Sequence, residues 1–386
     1  MRIEIFKSSI MTRTATIPDI QLHRRLAYLD GLRGFAALYV VMHHVALMPK
    51  PPLLMPDWLR HLIGFGGSGV TLFFIISGFS MCLTWSRYDS ASSPIKSFYI
   101  SRFVRIAPLF YFWLMLSIFR DAIFKGSAGQ HSVIEIGANT LFLFNLYEPF
   151  QAGIAWASWT IGVEMLFYAI FPFIKLAGFN NLVKTFILLV LSVTIVVIAR
   201  SGLMEPIKLD SSLMRALFDN VGFFVAFPIF LMGMVAYYID RLFHDVLTGA
   251  LKIWLGRLLL PLAIIALSFL GSYNPDGLAW YYVSAVIYAI LLLGFSRWGK
   301  IMIINSFTCY LGRISYSLYL NHPTVIYLLI PVYLAIYKIG LESVVAFFIC
   351  VIVTVSILVP ISQITYRFIE SPVMLLHKKR SPMYSK

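Results

Sequence analysis

The chain has 386 residues, 60% of them hydrophobic and only 12% charged, with a mean hydropathy of +0.83. That composition excludes an ordinary soluble domain and points to a polytopic membrane protein. The net charge of +14 does not mark a nucleic-acid binder, because Lys and Arg gather at the ends of apolar runs and in short loops, where they act as orientation signals.

Residues 1–27 are mixed and basic (Arg2, Lys7, Arg13, Arg24, Arg25), with no apolar core leading to a small-residue cleavage site, so they are expected to be a cytoplasmic tail and not a signal peptide. Runs of crossing length follow near 32–48, 63–84, 99–119, 160–177, 182–199, 217–239, 252–271, 279–296, 311–335 and 342–368. The apolar segment 134–147 would be only about 21 Å long as a helix, which suits a re-entrant piece. With this count the inside loops hold Arg87, Lys96, Arg102 and Arg105, then Lys175 and Lys184, then Arg241, Lys252 and Arg257, then Arg297 and Lys300. Arg200, Lys208 and Arg215 are the exception outside. A crossing at 134–147 would invert every later loop and put the most basic ones outside.

The expected fold is therefore all-α, a polytopic integral membrane protein of about ten transmembrane helices plus a short re-entrant segment. It forms one membrane domain over 28–372, followed by a basic cytoplasmic tail over 373–386 that contains HKKR at 377–380. Both termini are cytoplasmic. Cys82, Cys309 and Cys350 lie in apolar stretches without metal-ligand spacing and read as small buried side chains.

Five motifs carry chemistry. In YLDGLRGFAALYVVMHHV, Tyr28 to Val45, Arg33 and His44 are eleven residues apart. Eleven steps of about 100° return to within roughly 20°, so the two share one helix face about 16 Å apart. Ionisable groups at membrane depth face a protein interior or a wet cavity. GGSGVTLFFIISGF, Gly66 to Phe79, either packs helices closely or breaks the backbone to open a cavity near His44. SFYISRFVRIAPLFYF, Ser97 to Phe112, sets Arg102 and Arg105 on one face at a membrane boundary, one turn after Lys96. These are topology anchors or a phosphate clamp. In SWTIGVEMLFYAIFP, Ser158 to Pro172, Trp159 opens the run, Glu164 is the only acid of the span, and Tyr168 sits one turn further on. A carboxylate there must be paired, protonated or facing water. LGRISYSLYLNHP, Leu311 to Pro323, places Asn321 and His322 ahead of a proline expected to kink or interrupt the span. His322 is then a second catalytic group or a ring capping the broken backbone.

In this order the motifs resemble the membrane acyltransferase 3 family from Tyr28 to about Pro372. Arg33 and His44 match its arginine, ten residues, histidine pattern. FFIISGF is similar to FFVISGF, FYISRFVRIAP to FYxRRxxRIxP with Ser101 where an arginine is common, SWTIGVEMLFY to SWSLxVExxFY, and ISYSLYLNHP to ISYSLYLxHxP. The resemblance implies an integral membrane O-acyltransferase of the cytoplasmic (inner) membrane. It would move a short acyl group, usually acetyl, from cytoplasmic acetyl-CoA to a hydroxyl of a carbohydrate such as a surface polysaccharide or lipopolysaccharide. Expected partners are acyl-CoA, the carbohydrate acceptor and the lipid bilayer, with no nucleic acid and no metal.

In the expected roles His44 is the general base, Glu164 orients it or stabilises its imidazolium, and Arg33 holds the donor or steadies developing charge. Arg102, Arg105 and Lys96 bind the coenzyme, while His322, Tyr168, Trp159 and Asn321 are substrate-binding or structural. The rival class is a membrane transporter or flippase of a glycan or small molecule, which also uses ionisable residues beside broken helices. Dependence on an acyl-CoA donor separates the two.

Overall fold

The computed structural model describes residues 17–89, 92–124, 126, 130–201, 216–219, 222–246, 249–272, 277–298 and 304–380, and among these there is no strand. The expected tail at 1–16, its counterpart at 381–386, and Lys208, Arg215 and Lys300 lie outside the described residues.

The helices are α1 (Ile17–Leu47), α2 (Asp57–Gly64), α3 (Gly69–Asp89), α4 (Pro94–Phe124), α5 (Val133–Thr140), α6 (Trp159–Leu176) and α7 (Leu182–Arg200). After these come α8 (Phe223–Val246), α9 (Gly249–Ser272), α10 (Leu278–Trp298), α11 (Ser306–Arg313), α12 (Ser315–Lys338), α13 (Ser343–Thr365) and α14 (Ser371–Arg380). A π-helical turn, Tyr366–Glu370, joins α13 to α14. Three helix starts carry side-chain caps. The Ser132 side chain accepts from Glu135 N, that of Asn181 accepts from Lys184 N, and Asn305 with Thr308 forms a capping box at the head of α11.

Among the described residues nine helical stretches are long and apolar enough to cross a membrane. The remaining expected crossing, 32–48, lies in α1, where Asp30, Arg33, His43 and His44 lower the apolarity of a helix that is nonetheless central. It packs against α2, α3, α10, α11, α12 and α13. Helices at the periphery show the opposite character: α7 exposes Phe186, Leu191 and Ile195, and α9 exposes Leu258, Leu262 and Phe269. Apolar surface on this scale suits lipid and not water.

The short segment keeps to expectation, and two other details differ. At the segment 134–147 the α-helix is α5, eight residues from Val133 to Thr140, about 12 Å long and too short to cross, followed by a 3-10 turn at Phe144–Leu146. The expected tails are helical where they are described, since α1 starts at Ile17 and α14 runs to Arg380. The break in 311–335 falls at Ile314, between α11 and α12, while α12 continues through Pro323. Proline is tolerated inside a membrane helix when another donor satisfies the carbonyl it frees. Here that carbonyl is Tyr319 O, four residues back, and it accepts from His322 Nδ1.

The glycine motif is resolved as packing. Gly66, in the turn Phe65–Ser68, lies against α1, where a Cβ would come within 2.7 Å of Tyr39 O and 2.9 Å of His43 Cβ. At Gly78 a Cβ would overlap the Phe230 carbonyl of α8. Such small residues let helices approach closely in a membrane.

Candidate active site

A cavity of about 330 Å³ opens among α1, α3, α4, α6, α12 and α14. Arg33, Arg102, Arg105, Glu164 and Tyr168, drawn from three separate sequence motifs, all line it. Its volume is at the small end for a drug-sized ligand.

The three arginines are held differently. Arg33 donates from Nη1 to Asp30 Oδ1 at 3.1 Å and from Nη2 to Ser80 Oγ at 2.9 Å. Arg105 Nη1 stands 3.5 Å from Glu370 Oε2. Glu370, turned fully inward from the π-helical turn, accepts on its other oxygen from the Ser317 hydroxyl. Arg102 Nη2 donates to Thr84 Oγ1 at 3.4 Å and to Tyr88 OH at 3.3 Å, and its guanidinium lies 5.5 and 5.6 Å from the rings of Phe98 and Tyr168. Arg33 and Arg105 are thus paired with carboxylates, and among the described residues Arg102 is held by hydroxyls and aromatic faces without one.

The Glu164 carboxylate is fixed by two hydroxyls. Ser77 Oγ donates to Glu164 Oε1 at 2.7 Å, Tyr168 OH donates to the same oxygen, and the two hydroxyls lie 3.1 Å apart. Glu164 Oε2 carries no hydrogen bond among the described residues, which leaves it available to whatever occupies the cavity.

His44 is outside the cavity wall. Its Nδ1 is 2.8 Å from Val40 O. A carbonyl only accepts, so Nδ1 carries the hydrogen and, in the neutral ring, Nε2 keeps the basic lone pair. His322 is arranged in the same way: Nδ1 donates to Tyr319 O, and the buried Nε2 has no partner. The His44 and His322 rings are 4.7 Å apart, and the His322 and Tyr319 rings 5.4 Å apart. Tyr319 in turn lines the cavity and bonds through its hydroxyl to Thr160 Oγ1 at 3.1 Å. A continuous file of rings thus connects the cavity to His44. Glu164 and His44 share no hydrogen bond, since Glu164 is held by Ser77 and Tyr168 and His44 by Val40.

The remaining sequence candidates divide clearly. Lys96 lines a separate shallow groove with Tyr99 and Ile100, away from the arginines. Trp159 packs edge-on to Phe74 at 6.4 Å. Asn321 is fully buried and joins three helices, accepting from Trp113 Nε1 at 2.8 Å and donating to Ser362 Oγ at 3.2 Å and Thr365 Oγ1 at 2.9 Å. Sequence reasoning missed Ser77, Tyr319, Met374 and His377 on the cavity wall. Ser77 and Tyr319 sit inside motifs whose small and aromatic residues read as packing. His377 belongs to a basic run that reads as an orientation signal. Among the described residues no group of three His, Cys, Asp or Glu is placed to hold a metal.

Comparison with known proteins identifies the family. A model of the acyltransferase 3 family, described as an acyltransferase domain, matches residues 26–363, and the chain belongs to that family. A Staphylococcus aureus (strain COL) protein named "Putative O-acetyltransferase SACOL0978" is 25% identical over 390 residues, 94% of this chain and 59% of the relative. "Acyltransferase MdmB" of Streptomyces mycarofaciens is 31% identical over 153 residues, 38% of each chain. "Putative peptidoglycan O-acetyltransferase YrhL" of Bacillus subtilis (strain 168) is 24% identical over 170 residues, 41% of this chain and 25% of the relative. The chain spans about three fifths of the length of the Staphylococcus relative. No solved structure matches.

Proposed function

We propose that the chain is an integral membrane O-acetyltransferase that takes the acetyl group of acetyl-CoA from the cytoplasmic side and delivers it to a hydroxyl of a carbohydrate, such as a surface polysaccharide or lipopolysaccharide. The observation that carries this reading is the file of rings from Tyr319 through His322 to His44, which connects an arginine-lined cavity to a histidine with a free basic nitrogen. The positive-inside pattern of the loops supports a cytoplasmic origin for the donor, and relatives named as O-acetyltransferases support the reaction.

The small cavity takes the acyl-pantetheine arm, and the phosphates stay among Arg102 and Arg105. The acceptor hydroxyl approaches from the His44 side. Its proton passes to His44 Nε2 as its oxygen bonds to the thioester carbonyl carbon, and the carbon–sulfur bond then breaks to release the coenzyme thiolate. General-base help of this kind is worth about 10² to 10⁴ in rate. Tyr319 and His322 stand between the two substrates, so their rings part for the transfer. Arg33 and the free oxygen of Glu164 hold the donor arm in place.

Radiolabelled acetyl-CoA, supplied to purified protein in proteoliposomes with and without a surface-glycan extract, tests the reading. Label moving to glycan with wild type and not with His44→Ala supports it. Folded wild-type protein that uses no acetyl-CoA in the presence of the extract overturns it.

A further inference from the structure

At its arginine end the cavity is completed by α14, which the sequence places in a tail. Met374 and His377 are three residues apart on one face of this helix, both line the cavity, and α14 packs along α4. Among the described residues, two buried side-chain polar atoms of the cavity lining have no hydrogen-bond partner, Arg102 Nε and His377 Nε2. Buried polar atoms are costly to leave unpaired, so two of them on residues of one cavity wall call for an explanation.

Charge says what that is. Arg33 is compensated by Asp30, and Arg105 faces Glu370. Arg102 is different, because its partners are hydroxyls and aromatic faces and none is a carboxylate. A guanidinium and an imidazole that line one cavity suit an anion with several acceptor oxygens, which is the chemistry of a phosphate.

We propose that His377 is a donor-binding residue that, with Arg102, holds a phosphate of the acyl-CoA at the cavity mouth; the inference rests on the donor assigned above. It makes α14 part of the donor site and gives His377 the place that the sequence had assigned to Lys96.

The test is calorimetric titration of the full chain in nanodiscs with coenzyme A, with 3′-dephospho-coenzyme A and with pantetheine, which has no phosphate. His377→Ala is expected to weaken coenzyme A at least about tenfold, the effect of one lost charge-assisted hydrogen bond. Pantetheine binding stays within about twofold of wild type, and His377→Lys recovers most of the coenzyme affinity. Should the alanine variant fail to fold, His377→Asn, of similar bulk, reads the same loss. A penalty that persists with the dephospho compound places His377 on the diphosphate, and one that disappears places it on the 3′-phosphate; both support the assignment. Normal coenzyme binding by His377→Ala or His377→Asn, or equal weakening of coenzyme A and pantetheine, overturns it. Wild type that binds no coenzyme A overturns the donor itself, a separate failure.

Discussion

Asn321 and His322 are adjacent on α12 and equally buried, yet they belong to regions of opposite character. Asn321 is the centre of a knot in which three hydrogen bonds reach α4 and α13 and nothing is left over. His322 uses one nitrogen to repair the carbonyl freed by Pro323 and leaves the other without a partner beside His44. In a membrane protein, where water cannot satisfy a stray polar atom, this difference separates a residue that holds helices together from one that keeps bonding capacity in reserve.

The comparison can be broken most directly at His44. His44→Gln is expected to lower acetyl transfer by about 10² to 10⁴ with an unchanged thermal unfolding midpoint, since the ring contributes one local bond to its own helix; transfer assays and unfolding of the same preparation check both halves. Asn321→Leu is the opposite case. It removes three interhelical bonds at roughly 0.6 kcal/mol each, about 2 kcal/mol in all, so the unfolding midpoint falls while the folded fraction keeps its turnover per active site.

Two smaller effects sharpen the division. Ser77→Ala removes one of the two hydroxyls that fix Glu164. About a tenfold loss of kcat/KM is expected, in the range for a hydrogen bond to a charged acceptor, and steady-state kinetics read it. Lys96→Ala lies off the cavity, so the KM for acetyl-CoA should stay within about twofold of wild type, as expected for a surface charge.

The membrane helices were legible because each needs about twenty apolar residues in a row, and the first could be found despite its charges because Arg33 and His44 fall on one face. Arg33, Arg102, Arg105, Glu164 and Tyr168 were legible as candidates because charge and hydrogen-bonding capacity are conspicuous in apolar helices, and they line one cavity. What the sequence hid is relational. Nothing local distinguishes Lys96, which faces a different groove, from Arg102, or shows that His377 will fold back against α4. Pro323 looked like the break, but a histidine one residue earlier satisfies the exposed carbonyl and the helix runs on.

The π-helical turn at Tyr366–Glu370 acts as a phase adjuster between α13 and everything beyond it. Such a turn holds one residue more than an α-helical turn, and each residue of a helix advances the azimuth by about 100°. Winding all of these residues as ordinary α-helix, with none removed, would rotate the following segment by about that angle relative to α13. Glu370 would swing off Arg105, and Met374 and His377 would turn away from the cavity together. The composition of the wall at the mouth is thus fixed by the length of one turn as much as by the identity of any residue in it.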